Sequence, residues 1–109
     1  MKWLLYVGLV IGVMSSASAG YRNGNNIFKL CTTEKSDSLY YINLAECDGY
    51  ITGVVDLAAS EKKLCSPKQV TIGQLRDITV KWLSDNPQHR HFTANSLVIA
   101  ALIEAYPCK

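Results

Sequence analysis

Asn43-Leu44-Ala45-Glu46-Cys47-Asp48-Gly49-Tyr50-Ile51-Thr52-Gly53-Val54-Val55-Asp56-Leu57-Ala58 is the stretch whose reading decides the fold. Leu44, Cys47, Ile51, Val54, Val55 and Ala58 recur three and four positions apart, the pattern of one helix face turned to a core. Asn43 is a good N-cap residue, and Glu46 and Asp48 follow in the first turns, where the helix dipole favours acids. A long helix beginning near Asn43 is expected, with that face buried. Gly49 and Gly53, four apart, each weaken a helix by up to about 1 kcal/mol relative to alanine. The expected compensation is another helix of the same chain packed closely into the notch they leave.

Downstream, Leu64-Cys65-Ser66-Pro67 closes this helical region, because proline disfavours helix at the residue before it. Thr71-Ile72-Gly73-Gln74 matches a capping box and opens a second helix through Ile72, Leu75, Ile78, Trp82 and Leu83, with Trp82 in the core. Ser84-Asp85-Asn86-Pro87 breaks that helix, and Pro87 opens a further turn carrying Gln88, His89, Arg90 and His91. The last helix is expected from about Thr93 to Tyr106, with Ala94, Leu97, Val98, Ala101, Leu102 and Ala105 inward and Pro107 as its stop. Upstream, Gly20 to Asn26 is rich in Gly and Asn and reads as a loose start. Ile27, Phe28, Leu30 and Cys31 suggest two turns of helix, and Thr32 to Ser38 a loop. Leu39 to Ile42 is the one weak strand candidate. The class is therefore all-α: a small disulfide-stapled helical domain with three main helices plus a short N-terminal helix.

Near the start of the chain stand Lys2, an apolar run from Trp3 to Met14, and then Ser15-Ser16-Ala17-Ser18-Ala19. That order of charge, apolar run and small-x-small site is the pattern of an export signal cleaved after Ala19. The run is well short of the roughly 20 apolar residues that cross a bilayer, so the reading is a signal at 1–19 and a domain at 20–109, periplasmic and with no membrane association after cleavage. The formal net charge of +2 falls to +1 without Lys2. Near neutrality, with only Lys62, Lys63 and Lys68 as a small basic group, argues against a nucleic-acid partner.

Cys31, Cys47, Cys65 and Cys108 all lie after the signal, and an even count in a short exported chain argues for disulfides. Three connectivities exist, and sequence alone does not choose among them. If successive helices run up, down and up, the first and third long helices finish at one end, which favours Cys65–Cys108 with Cys31–Cys47. The runner-up is Cys31–Cys65 with Cys47–Cys108.

Enzyme chemistry is not evident. There is no Gly-x-Ser-x-Gly, no phosphate-cradling glycine loop and no paired carboxylates in an evident cleft. His89-x-His91 offers two metal ligands without a third nearby, and a cysteine nucleophile would need a free thiolate. No catalytic residue, metal or cofactor is therefore assigned. Asp48, Tyr50, Asp56 and Tyr106 read first as internal hydrogen bonding between helices and second as an exposed recognition patch. The polar Asn86–His91 turn, following a proline on a rigid frame, is the candidate partner-binding element through Gln88, His89, Arg90 and His91. Arg90 is suited there to a forked contact with acids.

Cys47-Asp48-Gly49-Tyr50-Ile51-Thr52-Gly53-Val54-Val55-Asp56, Cys65-Ser66-Pro67 with Val70-Thr71 and Gln74-Leu75, Asn86-Pro87-Gln88-His89-Arg90-His91, and Ala100-Ala101-Leu102 with Tyr106-Pro107-Cys108 together resemble the Tai/Rap family of type VI secretion amidase immunity proteins. The resemblance spans essentially all of the chain after the signal. It implies a small helical periplasmic protein, often a homodimer, that binds a cognate amidase effector of papain-like cell-wall hydrolase type and occludes its substrate groove. Two alternatives stand beside it: a module that binds some other envelope protein, and a periplasmic acid-stress chaperone, also small, helical and exported. Such chaperones unfold on acidification to expose apolar surface, which two crosslinks oppose.

Overall fold

A computed structural model describes residues 21–65 and 68–108; the export signal expected at residues 1–19 and the cleavage expected after Ala19 lie outside the described residues. Four α-helices follow one another: α1 (Gly24–Cys31), α2 (Tyr40–Ser60), α3 (Ile72–Asp85) and α4 (Ala94–Ala105), with a 3₁₀ turn at Pro87–His89 between the last two. Among the described residues the only β-type pairing is an isolated antiparallel bridge between Asn23 and Thr93. The fold is all-α.

Two helix starts differ from expectation, and each has a local cause. The Gly/Asn-rich segment is not loose throughout, because Asn23 and Asn26 form a capping box. The Asn26 amide donates to Asn23 Oδ1 and the Asn23 amide to Asn26 Oδ1, both at 2.9 Å. Asparagine is among the best N-cap residues, and here two of them stand at reciprocal positions. α2 begins three residues before Asn43 with no side-chain cap. Asp37 prepares its entry, its Oδ1 accepting from the Leu39 amide at 2.8 Å. Asn43 turns its side chain outward from the helix instead, donating to Thr33 Oγ1 at 3.1 Å. The weak strand candidate at Leu39–Ile42 is thus the entry to a helix.

The other ends also have local causes, although α2 closes at Ser60, before the stop expected at Leu64-Cys65-Ser66-Pro67. Thr71 and Gln74 form the expected box, with 2.8 and 3.1 Å bonds. α2 ends with Lys62 at φ 59° and the Lys63 amide donating to Ala58 O at 2.9 Å. This is the six-to-one closure of a left-handed cap, made by lysine where glycine is usual. At the end of α3 the Asn86 side chain donates to Trp82 O at 2.8 Å before Pro87.

Cys47, Ile51, Val55 and Ala58 of α2, Leu64, Leu75 of α3, and Val98 and Leu102 of α4 make one buried cluster. Ile27, Leu83, Ala94 and Leu97 make a second, and Leu30, Cys31 and Tyr50 touch both. Fully burying one Leu or Ile side chain contributes roughly 1.5–3 kcal/mol, so these two clusters supply most of the packing energy. Within α3, Thr79 is fully buried, and its hydroxyl donates to Leu75 O at 2.9 Å, which removes the penalty of an unpaired polar group. Ala105, expected inward, is exposed.

The disulfides join Cys31 to Cys47, with Cα atoms 5.2 Å apart, and Cys65 to Cys108, 5.4 Å apart. The first ties the C-terminal end of α1 to the middle of α2. The second ties the segment after α2 to the segment after α4.

The glycine notch is a correction. A β-carbon built on Gly49 or on Gly53 would meet nothing within 4 Å, so among the described residues no other helix packs there. The inward stripe of α2 lies on the opposite face, which leaves Ala45, Gly49 and Gly53 toward solvent.

Candidate functional site: the turn between α3 and α4

The turn from Asn86 to Thr93 is built by its own backbone. Pro87 supplies a preset φ at the first position of the 3₁₀ segment. The Arg90 amide then donates to Pro87 O at 3.3 Å and the Phe92 amide to His89 O at 3.0 Å. A second layer of bonds comes from the chain's N-terminal segment. Gly24 N–H donates to Phe92 O at 3.0 Å, Asn25 N–H to Arg90 O at 2.9 Å, and Ala94 N–H to Arg22 O at 2.9 Å.

The four residues expected to bind a partner separate into two kinds. Gln88 and His91 are exposed. His89 is half-buried, stacked with centroids 6.2 Å from Trp82 and 5.8 Å from Phe92. Arg90 departs from the forked, outward contact expected of it. Its guanidinium carbon sits 4.3 Å from the centre of the Phe28 ring, and its Nε is buried without a hydrogen-bond partner. An arginine over an aromatic face contributes about 0.5–2 kcal/mol, so this side chain braces the turn against α1.

Phe92 is the residue sequence reading missed. It is 49% exposed, and the His91 ring lies 4.2 Å from it. A lone aromatic directly after a polar turn, before the next helix cap, was the available signal. Trp82, expected in the core, is only half-buried: it packs on the second cluster, and its Nε1 donates to Glu104 Oε2 at 3.0 Å. Beside it a cavity of ≈ 260 Å³ opens between α3 and α4, with Ile78 and Ala101 along its wall and Lys81, Asp85 and Glu104 at its rim. Lys81 Nζ contacts Asp85 at 2.9 Å, and this hydrogen bond raises the Lys81 pKa above the ordinary value. Trp82, His89, Phe92 and His91 thus form one continuous aromatic run from this groove to the tip of the turn. That run can bury apolar surface while Gln88 and the rim charges supply polar contacts.

Of the tyrosine and aspartate group, Asp48 is bound to Arg76, and Tyr50 and Tyr106 pack on the first cluster. Only Asp56 is exposed. Among the described residues no group of three or more His, Cys, Asp or Glu side chains is arranged to hold a metal ion.

No curated protein and no solved structure matches the chain. The family model of the Rap1a immunity proteins matches it over residues 23–108, from the Asn23 cap of α1 to the second sulfur of the Cys65–Cys108 bridge, and the chain belongs to that family.

Proposed function

We propose that this immunity protein works in the periplasm, where it binds a peptidoglycan-cleaving amidase delivered by type VI secretion and occludes its substrate groove. The observation that carries the reading is the braced turn: Gln88, His91 and Phe92 are exposed on a segment held by backbone bonds on both sides. A preorganised projection enters a cleft without paying to order a loop, and exclusion of substrate then needs no reactive group. Immunity proteins act in this way by binding, not by turnover. Export and oxidation belong to the same reading, since both disulfides require an oxidising compartment.

The test is a purified cysteine amidase encoded beside this chain, titrated calorimetrically with the oxidised protein. Replacing Gln88, His89, Arg90 and His91 together by alanine should weaken binding at least tenfold, about 1.4 kcal/mol, with the helical spectrum intact. Unchanged affinity would move the site elsewhere. N-terminal sequencing of the protein from a periplasmic extract should begin at Gly20.

The homodimer that the family resemblance implies has an available surface in the open side of α2, where Tyr41, Ile42 and Leu57 are exposed beside the unfilled glycine notch. Sedimentation of the wild type and of Gly53→Leu tests it: a dimer through this face is lost in the variant.

A further inference from the structure

We infer that the first turn of α1 positions the partner-binding turn, with Gly24 and Phe28 as its positioning residues; the inference rests on the proposed site. Gly24 is buried in the fold, and a β-carbon there would lie 2.7 Å from Arg90 O and 2.9 Å from Arg90 Cα and would run into Leu97 Cδ1. Leu97 is the end of a side chain and can move. Arg90 is backbone, so relief of that contact displaces the turn itself. The residue must be glycine because helix and turn approach to backbone contact, and not because of its φ, since no glycine in the described residues has a positive φ.

Three backbone bonds join these segments at this approach: Gly24 N–H to Phe92 O, Asn25 N–H to Arg90 O, and Ala94 N–H to Arg22 O. One turn further along α1, Phe28 offers its ring to the Arg90 guanidinium at 4.3 Å. Among the described residues no carboxylate pairs with Arg90, and its buried Nε has no hydrogen-bond partner, so the Phe28 ring directs the side chain. The far end of α1 is bolted to α2 by Cys31–Cys47. α1 is thus a strut: one end is crosslinked to the core helix and the other carries Arg90 to Thr93. The exposed Gln88, His91 and Phe92 inherit their placement from it.

The experiment compares Gly24→Ala and Phe28→Leu with Val55→Ala, which loosens the other core cluster. In the free, oxidised protein, the Asn25 and Phe92 amides should exchange with solvent about tenfold faster in the two α1 variants than in Val55→Ala at matched global stability. Exchange unchanged from the control overturns the inference, whatever the partner does. With the adjacent-gene cysteine amidase as probe, a turn that is less often in its competent arrangement slows association about tenfold while dissociation stays within twofold. Faster dissociation with unchanged association would make Gly24 and Phe28 contact or stability residues and would also overturn it. Should Gly24→Ala fail to fold, Phe28→Leu carries both measurements. Loss of binding in the four-residue turn variant alongside wild-type exchange and association in the α1 variants rejects the strut and keeps the site. Wild-type binding by the turn variant rejects the site, and the exchange result then decides the strut by itself.

Discussion

Arg76 Nη1 lies 2.8 and 2.7 Å from the two carboxylate oxygens of Asp48, so one guanidinium nitrogen bridges both oxygens and joins α3 to α2. The two side chains are 25% and 26% exposed, enough shielding for the pair to matter and enough water to limit its desolvation cost. Removing Arg76 leaves a half-buried carboxylate without its partner. Arg76→Ala and Asp48→Ala should each cost about 1–2 kcal/mol in urea unfolding, and the double variant less than their sum. By contrast, Lys81 and Asp85 are exposed, and Lys81→Ala should leave the unfolding midpoint where it was. Strict additivity at Asp48 and Arg76 would refute the coupling.

The open notch on α2 makes an unusual prediction in the stabilising direction. Since nothing stands within 4 Å of a β-carbon at Gly49 or Gly53, alanine at either site should raise the stability of the monomer by about 0.5–1 kcal/mol. A loss instead, growing with protein concentration, would mean that a second chain fills the notch.

The two crosslinks should differ in how they are reached and in what their loss does. Cys47 is fully buried, whereas Cys65 and Cys108 are exposed, so mild dithiothreitol should open Cys65–Cys108 first, as mass spectrometry of alkylated protein would record. From sequence separations of 16 and 43 residues, chain entropy assigns the bonds about 3 and about 4 kcal/mol respectively. Replacing Cys31 and Cys47 should additionally loosen the α1 strut. With both bonds intact, the circular dichroism spectrum at pH 2–3 should remain helical and the protein should not protect aggregating clients. Acid unfolding with client protection would favour the chaperone alternative.

Alkaline pH should weaken the fold through Tyr50. Burial raises its pKa above the ordinary 10.0, partly offset by the Asn95 backbone and by the charge of Arg22. The folded state therefore holds the phenolic proton more tightly than the unfolded state. The stability this contributes is fully present below 10.0 and is lost as the pH rises through the higher folded value. Lys81, raised by Asp85, acts in the same direction but stands in open solvent and adds little. Unfolding free energy measured from pH 8 to 11 should hold level and then decline, and Tyr50→Phe should flatten the decline. An unchanged slope in Tyr50→Phe would assign it to other groups.

Much of the architecture was legible because it rests on local patterns. The inward stripes of α2 and α4 follow from helical spacing, and Cys47, Ile51, Val55, Ala58, Leu97, Val98 and Leu102 are buried as that spacing demands. Thr71-x-x-Gln74 and Pro87 mark the boundaries of α3 by chemistry that acts within four residues. The start of α2 was misplaced because Asn43 is an equally good cap in isolation, and only its bond to Thr33, ten residues away, draws its side chain elsewhere. The turn was found as a polar break, but the roles within it were not, because Arg90 meets Phe28 and His89 meets Trp82 only across the fold.

By itself, then, the sequence determined the helices, the stripe each must bury and the presence of four cysteines, since periodicity, capping and composition are properties of neighbours along the chain. Which sulfurs bond, that the glycine face of α2 stays open, and that α1 braces the turn at Arg90 were decided only by the tertiary structure. Those outcomes depend on distances between segments far apart in the chain, and these are set by how all four helices pack at once.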